Sequence, residues 1–130
     1  MSSKTKPAPV EIRLQRAYEE PGADDGYRVL VDHFWPRGRS RESLKLDEWA
    51  KDLAPEAELI KWFGHKPERW LEFRQRFRAH LDEAQQVARL RELLDAATGT
   101  RMTLVYGAKS ETENQAVVIR EALLEMAMTR

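Results

Sequence analysis

The stretch Arg28-Val29-Leu30-Val31-Asp32-His33-Phe34-Trp35-Pro36-Arg37-Gly38 carries an apolar run straight into a carboxylate, an imidazole, an indole and a guanidinium. A strand buried on both faces carries apolar residues consecutively, and Val29, Leu30 and Val31 do so with the β-branching that favours extended chain. Pro36 lacks a backbone donor and fixes φ, so the ladder stops before it. This predicts an interior strand of an α/β sheet whose carboxyl end displays Asp32. Open α/β sheets bind their ligands at that edge.

Outward from this strand, Val10, Ile12 and Leu14 alternate with Glu11, Arg13 and Gln15, the period of an edge or half-exposed strand. Pro21-Gly22-Ala23-Asp24-Asp25-Gly26 is turn chemistry, and so short a link suits a hairpin, which would make part of the sheet antiparallel. After Gly38 the period lengthens. Leu46, Trp49, Ala50 and Leu53 predict a helix, Pro55 ends that run or opens the next, and Leu59, Ile60 and Phe63 predict a short helix stopping at Gly64. Pro67 opens a helix with Trp70, Phe73, Phe77 and Leu81 on one stripe; Val87, Leu90, Leu93, Leu94 and Ala97 mark another that ends before Gly99. Thr103-Leu104-Val105-Tyr106 reads as a second short buried strand. The last helix starts at a Ser110/Glu113 capping box or in the competing Thr112/Gln115 register. The sum is a single compact α/β domain over residues 10–130, with a small mixed or mostly parallel sheet and helices packed around it. Residues 1–9 read as a flexible tail.

At 130 residues the chain is long enough to bury one core without staples. Its 22 Lys and Arg balance 22 Asp and Glu, so no global field draws it to nucleic acid or an anionic membrane. The absence of cysteine excludes disulfides, thiolate nucleophiles and sulfur-ligated zinc, and suits a reducing cytosol. No stretch has the length and apolarity of a membrane span, and the first residues have no apolar signal-peptide core, so a cytoplasmic location is expected. The three histidines lack metal-ligand spacing such as His-Glu-x-x-His, and no metal site is expected.

Two groups carry candidate chemistry. In the first, Asp32 offers a general base, an acceptor for a sugar hydroxyl or a metal ligand, against the plainer role of capping the Trp35 to Ser40 turn. Arg37 adds a fork that matches phosphate and carboxylate, Gly38 allows close backbone approach, and Trp35 is tied to the same polar turn. In the second, Tyr106, Lys109, Asn114 and Gln115 lie between a strand end and a helix start, where backbone donors and Lys109 favour an anion while Glu111 and Glu113 oppose it. Gly107-Ala108-Lys109-Ser110 lacks P-loop spacing. If the strands ending at Asp32 and Tyr106 are parallel neighbours, both groups open into one pocket. His65, just past a helix end, is explained by the helix dipole, and His33 points away from Asp32 by strand alternation.

Three runs in order carry a resemblance: Val31 to Gly38, Trp62 to Trp70, and Ala108-Lys109 with Asn114 to Val118. Together they resemble the YeaO-like family of uncharacterised bacterial proteins, domain of unknown function 488, over Val10 to Leu124. The resemblance implies a small cytosolic α/β protein with no established cofactor. The family pattern usually has arginine at His33 and histidine at Glu113. Distant relatives carry a cysteine-histidine-arginine segment near the last strand, and its absence here argues against shared thiol chemistry.

The expectation is a cytosolic enzyme or binder of a small anionic ligand, a nucleotide or other phosphate-bearing metabolite, with catalysis left open. The alternative is a nucleic-acid or protein interaction module built on the Arg69 to Arg78 helix. Its aromatics share the core-facing stripe, so packing explains them better than base stacking.

Overall fold

The computed structural model describes residues 11–129. Strands β1 (Ile12–Arg16), β2 (Tyr27–Leu30), β3 (Glu48–Trp49) and β4 (Met102–Tyr106) form one sheet in the order β1-β4-β2-β3, and every pairing is parallel. Helices α1 (Arg41–Leu44), α2 (Ala57–Phe63), α3 (Trp70–Leu81), α4 (Ala84–Ala96) and α5 (Gln115–Met128) make this an α/β domain. As the two sequence periods require, β2 is interior with Val29 and Leu30 fully buried, and alternating β1 lies at an edge. Val10 and the expected tail, residues 1–9, lie outside the described residues.

The hairpin expected between the first two strands does not form, because β4 lies between them and pairs with both. Residues 17–26 instead return the chain to the starting end of the sheet. Ala17 N–H donates to Tyr106 O at 2.6 Å, Gly22 N–H to Asp25 Oδ2 at 2.8 Å, and Tyr27 N–H to Arg101 O at 2.7 Å. Gly26 allows that last approach: its φ is +73°, and a Cβ would fall 1.9 Å from the same carbonyl oxygen. The glycine-rich turn is thus the entry to a parallel strand, not a reversal.

A second expectation also fails. Leu46, Trp49, Ala50 and Leu53 share no helix. Ser40 and Ser43 cap α1 reciprocally, and Lys45 closes it after one turn at φ 49°. Asp47 N–H then donates to Arg28 O at 2.9 Å and Ala50 N–H to Leu30 O at 2.8 Å. The free edge of β2 offers backbone partners, and satisfying them as β3 outweighs the helical spacing of the side chains.

Two apolar layers sandwich the sheet. Val29, Val31, Met102, Leu104 and Tyr106 face α2 to α5, with Phe63 stacked on Phe73 at 4.5 Å. Arg74 pairs with Glu121 at 2.5 Å and Arg78 with Glu125 at 2.7 Å, tying α3 to α5. The opposite layer, Ala17, Leu30, Leu44 and Val105, is smaller and holds a buried ion pair, Arg28 to Asp25 at 2.7 Å. Arg28 also donates to Leu44 O at 2.9 Å and to Gln15 Oε1 at 2.6 Å. No helix among the described residues is long and apolar enough to cross a membrane.

Candidate ligand-binding site

β2 and β4 are parallel neighbours with Leu30 opposite Val105, so the chain leaves both strands at one edge. Val31 N–H still donates to Val105 O at 3.0 Å, and Asp32 is the first residue beyond. Its Oδ2 accepts from Gly107 N–H at 2.8 Å and its Oδ1 from Gln115 Nε2, while its backbone oxygen accepts from Trp49 Nε1 at 2.8 Å. One carboxylate therefore joins the end of β2, the end of β4 and the first residue of α5. It does not cap the Trp35 to Ser40 turn, which is closed by Trp35 Nε1 donating to Arg39 O at 2.6 Å. Gly107 is needed for space, since a Cβ there would sit 2.8 Å from Asp32 Oδ2.

Above this carboxylate lies a cavity of about 240 Å³. Asp32, Gln115, Gly107 and Ala108 line it on one side, His33, Phe34, Trp35 and Pro36 on another, and Tyr18, Ile60 and His65 complete it. Burial raises the Asp32 pKa from 3.8 to about 6, against the two hydrogen bonds, which pull it down. The group can therefore accept a hydrogen bond from a ligand hydroxyl or N–H, or take up a proton near neutral pH. His65 reaches the cavity through two successive left-handed residues, Gly64 at φ 54° and His65 at φ 57°. His33 packs edge-on against Phe34 at 4.6 Å. Arg16 lies over the Tyr18 ring at 5.2 Å and donates to Ala108 O at 2.9 Å. Among the described residues no group of three or more His, Cys, Asp or Glu side chains is placed to hold a metal ion.

A family model described as "Inactive DUF488-N3 subclade" matches residues 11–130. The chain belongs to this DUF488 subclade. It is 38% identical over 114 residues to "Uncharacterized protein YeaO" of Escherichia coli (strain K12), covering 88% of this chain and 97% of the relative. It is 40% identical over 92 residues to "Uncharacterized protein Rv3073c" of Mycobacterium tuberculosis (strain ATCC 25618 / H37Rv), covering 71% and 78% respectively. No solved structure matches at a significant level.

In this DUF488 protein, Asp32, Trp35 and Gln115 line the cavity together. Five other sequence candidates do not line it. Arg37 and Lys109 are exposed, each next in the chain after a lining residue, Pro36 and Ala108. Gly38 sits exposed at φ 76°, with open space where a Cβ would stand. Tyr106 is buried in the helix-side core, and burial, with Glu111 and Glu19, raises its hydroxyl pKa. Asn114 is the helix cap: its Oδ1 accepts from Val117 N–H at 3.2 Å and its Nδ2 donates to Ser110 O at 2.7 Å. Both capping registers read from the sequence are thereby replaced. Ser110 Oγ accepts from Glu113 N–H at 3.0 Å, a turn ahead of the helix, and Gln115 becomes its first residue. The sequence reading missed Tyr18, Phe34, Ile60 and Gly107, and it assigned His65 to the helix end alone. For His65 a signal existed: a histidine directly after a helix-terminating glycine, where the backbone turns left-handed.

Proposed function

We propose that the Asp32 cavity holds a small ligand bearing both a hydrogen-bond donor and an anionic group, such as a sugar phosphate or nucleotide, and binds it without turnover. The observation that carries this reading is the Asp32 carboxylate, fixed by Gly107 and Gln115 against a cavity that a ligand can enter. An ionised carboxylate has about four acceptor positions, and two are taken. A cavity of about 240 Å³ is smaller than the roughly 300–1,000 Å³ typical of drug-sized ligands. It fits one sugar or base ring, which Phe34, 61% exposed, would cover. The anionic group then stays at the mouth, where Arg37 and Lys109 supply charge and where it avoids the buried Asp32 carboxylate. Binding rather than catalysis is supported by the "inactive" description of the subclade and by the lack of any thiol.

The interaction-module alternative ranks second, because Arg74 and Arg78 are committed to α5 and Arg69 and Arg76 lie over the Trp62 ring at 5.1 and 4.7 Å. The test is a thermal-shift panel of ribose 5-phosphate, nucleoside monophosphates and inorganic phosphate on wild type, Asp32→Asn and Arg37→Ala. A ligand at a hundred times its Kd should stabilise wild type by about 2.7 kcal/mol. Asp32→Asn is expected to abolish the shift and Arg37→Ala to weaken it. No shift with any compound, or a full shift in Asp32→Asn, would overturn the reading.

A further inference from the structure

Arg16 is the last residue of the alternating strand β1. Ile12 and Leu14 pack into the helix-side core, so the period of two carries Arg16 to the same face, at the edge of the sheet where Asp32 is displayed. A charged residue thus continues an apolar stripe past the end of the core. The backbone around it is pinned: Arg16 O accepts from Glu19 N–H at 3.1 Å, and Ala17 N–H donates to Tyr106 O at 2.6 Å. This turn brings Tyr18, 44% exposed, back under the Arg16 guanidinium, which lies 5.2 Å from the ring centre.

The guanidinium is held from two sides, by Tyr18 and by Ala108 O, which accepts from its Nε at 2.9 Å. Both of these residues line the Asp32 cavity. Among the described residues, neither terminal nitrogen of Arg16 has an acceptor and the side chain has no ion-pair partner. Arg28, Arg78, Arg89 and Arg101, by contrast, each meet a carboxylate. Glu111 and Glu19 share this end of the sheet, where burial first and then these two raise the Tyr106 hydroxyl pKa while Arg16 lowers it, yet neither comes within ion-pair distance of Arg16. An arginine fixed through Nε presents Nη1 and Nη2 together, the pair that phosphate oxygens accept.

Strand order fixes where this fork stands relative to Asp32. β4 lies between β1 and β2, and its two exit residues are tied to opposite flanks, Gly107 N–H to Asp32 and Ala108 O to Arg16. Two strand spacings, about 10 Å, separate β1 from β2. A ligand that reaches both groups carries its hydrogen-bond donor and its anionic group at opposite ends, with the anion across β4 from the Asp32 carboxylate.

We propose that Arg16 binds the ligand's anionic group, as a bidentate fork on a terminal phosphate, and that the ligand is a phosphate monoester lying across the end of β4 with its ring donor on Asp32. This role rests on the reading of the Asp32 cavity as a ligand site. It leaves the exposed Arg37 and Lys109 to add charge at the mouth without the fixed contact.

The test is titration calorimetry of the full-length protein with ribose 5-phosphate and adenosine 5′-monophosphate, on wild type, Arg16→Gln, Arg16→Lys and Asp32→Asn. Gln can keep the bond to Ala108 O, and Lys keeps the charge without the fork. Thermal unfolding without ligand checks that each variant is folded, and Arg16→Lys decides if Arg16→Gln is not. Expected is wild-type binding of at least one ester, with Kd raised at least about tenfold in both Arg16 variants. Wild-type affinity in Arg16→Gln would overturn the role of Arg16; the cavity reading then stands if Asp32→Asn loses binding and falls if it does not. Wild-type affinity in Arg16→Lys would overturn the bidentate contact. No wild-type binding of either ester would overturn the role of Arg16 and the cavity reading together.

Discussion

Replacing Asp32 by Asn should stabilise this protein at neutral pH and leave it nearly unchanged in acid. In the unfolded chain Asp32 titrates near 4, whereas in the folded protein burial moves it to about 6. The folded state therefore holds the proton more tightly, and stability falls as pH rises through the window between those values. Above about pH 7 the penalty is complete. At about 1.4 kcal/mol for each pKa unit, the rise from 3.8 to about 6 corresponds to a penalty of about 3 kcal/mol. In a domain of this size that is roughly 10 °C in Tm. Asn is nearly isosteric: its carbonyl oxygen can keep the bond from Gly107 N–H, and its Nδ2 then donates to Gln115 once that amide turns to offer Oε1. Thermal unfolding of both proteins from pH 4 to pH 8 measures the effect. Asp32→Asn should melt about 10 °C higher at pH 7.5, with the gap closing towards pH 4. A gap independent of pH, or a variant less stable at pH 7.5, would refute the argument that burial dominates the energetics of this carboxylate.

Gly107→Ala would place its Cβ 2.8 Å from Asp32 Oδ2. The carboxylate must swing away, so urea denaturation should show a cost of about 1–2 kcal/mol together with loss of ligand-dependent stabilisation; unaltered ligand response would show that the Asp32 to Gly107 contact does not shape the site. Arg28→Ala leaves Asp25, 5% exposed, with only the half-exposed Arg13 at 3.9 Å as a cation, and should cost about 3 kcal/mol in the same assay. The double variant Asp25→Ala/Arg28→Ala should recover part of that cost, and a single variant within about 1 kcal/mol of wild type would show that solvent reaches the pair.

The sequence alone determined whatever depends on neighbours along the chain. The consecutive apolar run put β2 inside the sheet, the alternation put β1 at an edge, and Gly64 and Pro67 bounded α2 and opened the turn into α3. Asp32 was legible as a displayed group because a buried run ends at it. What only the tertiary structure decided depends on partners far away in sequence. The slot between β1 and β2 is filled by β4, some seventy residues on, and this turned an expected hairpin into a parallel crossover. The open edge of β2 drew residues 48 and 49 out of an otherwise helical pattern. Asn114 took the cap from Ser110 and left Gln115 pointing at Asp32. Tyr18 comes from the link between β1 and β2, Ile60 from α2 and His65 from the turn after it, and only the folded chain brings them to Asp32 at one cavity. Local pattern specifies which face a residue buries, while the choice among competing backbone partners is made when the sheet assembles.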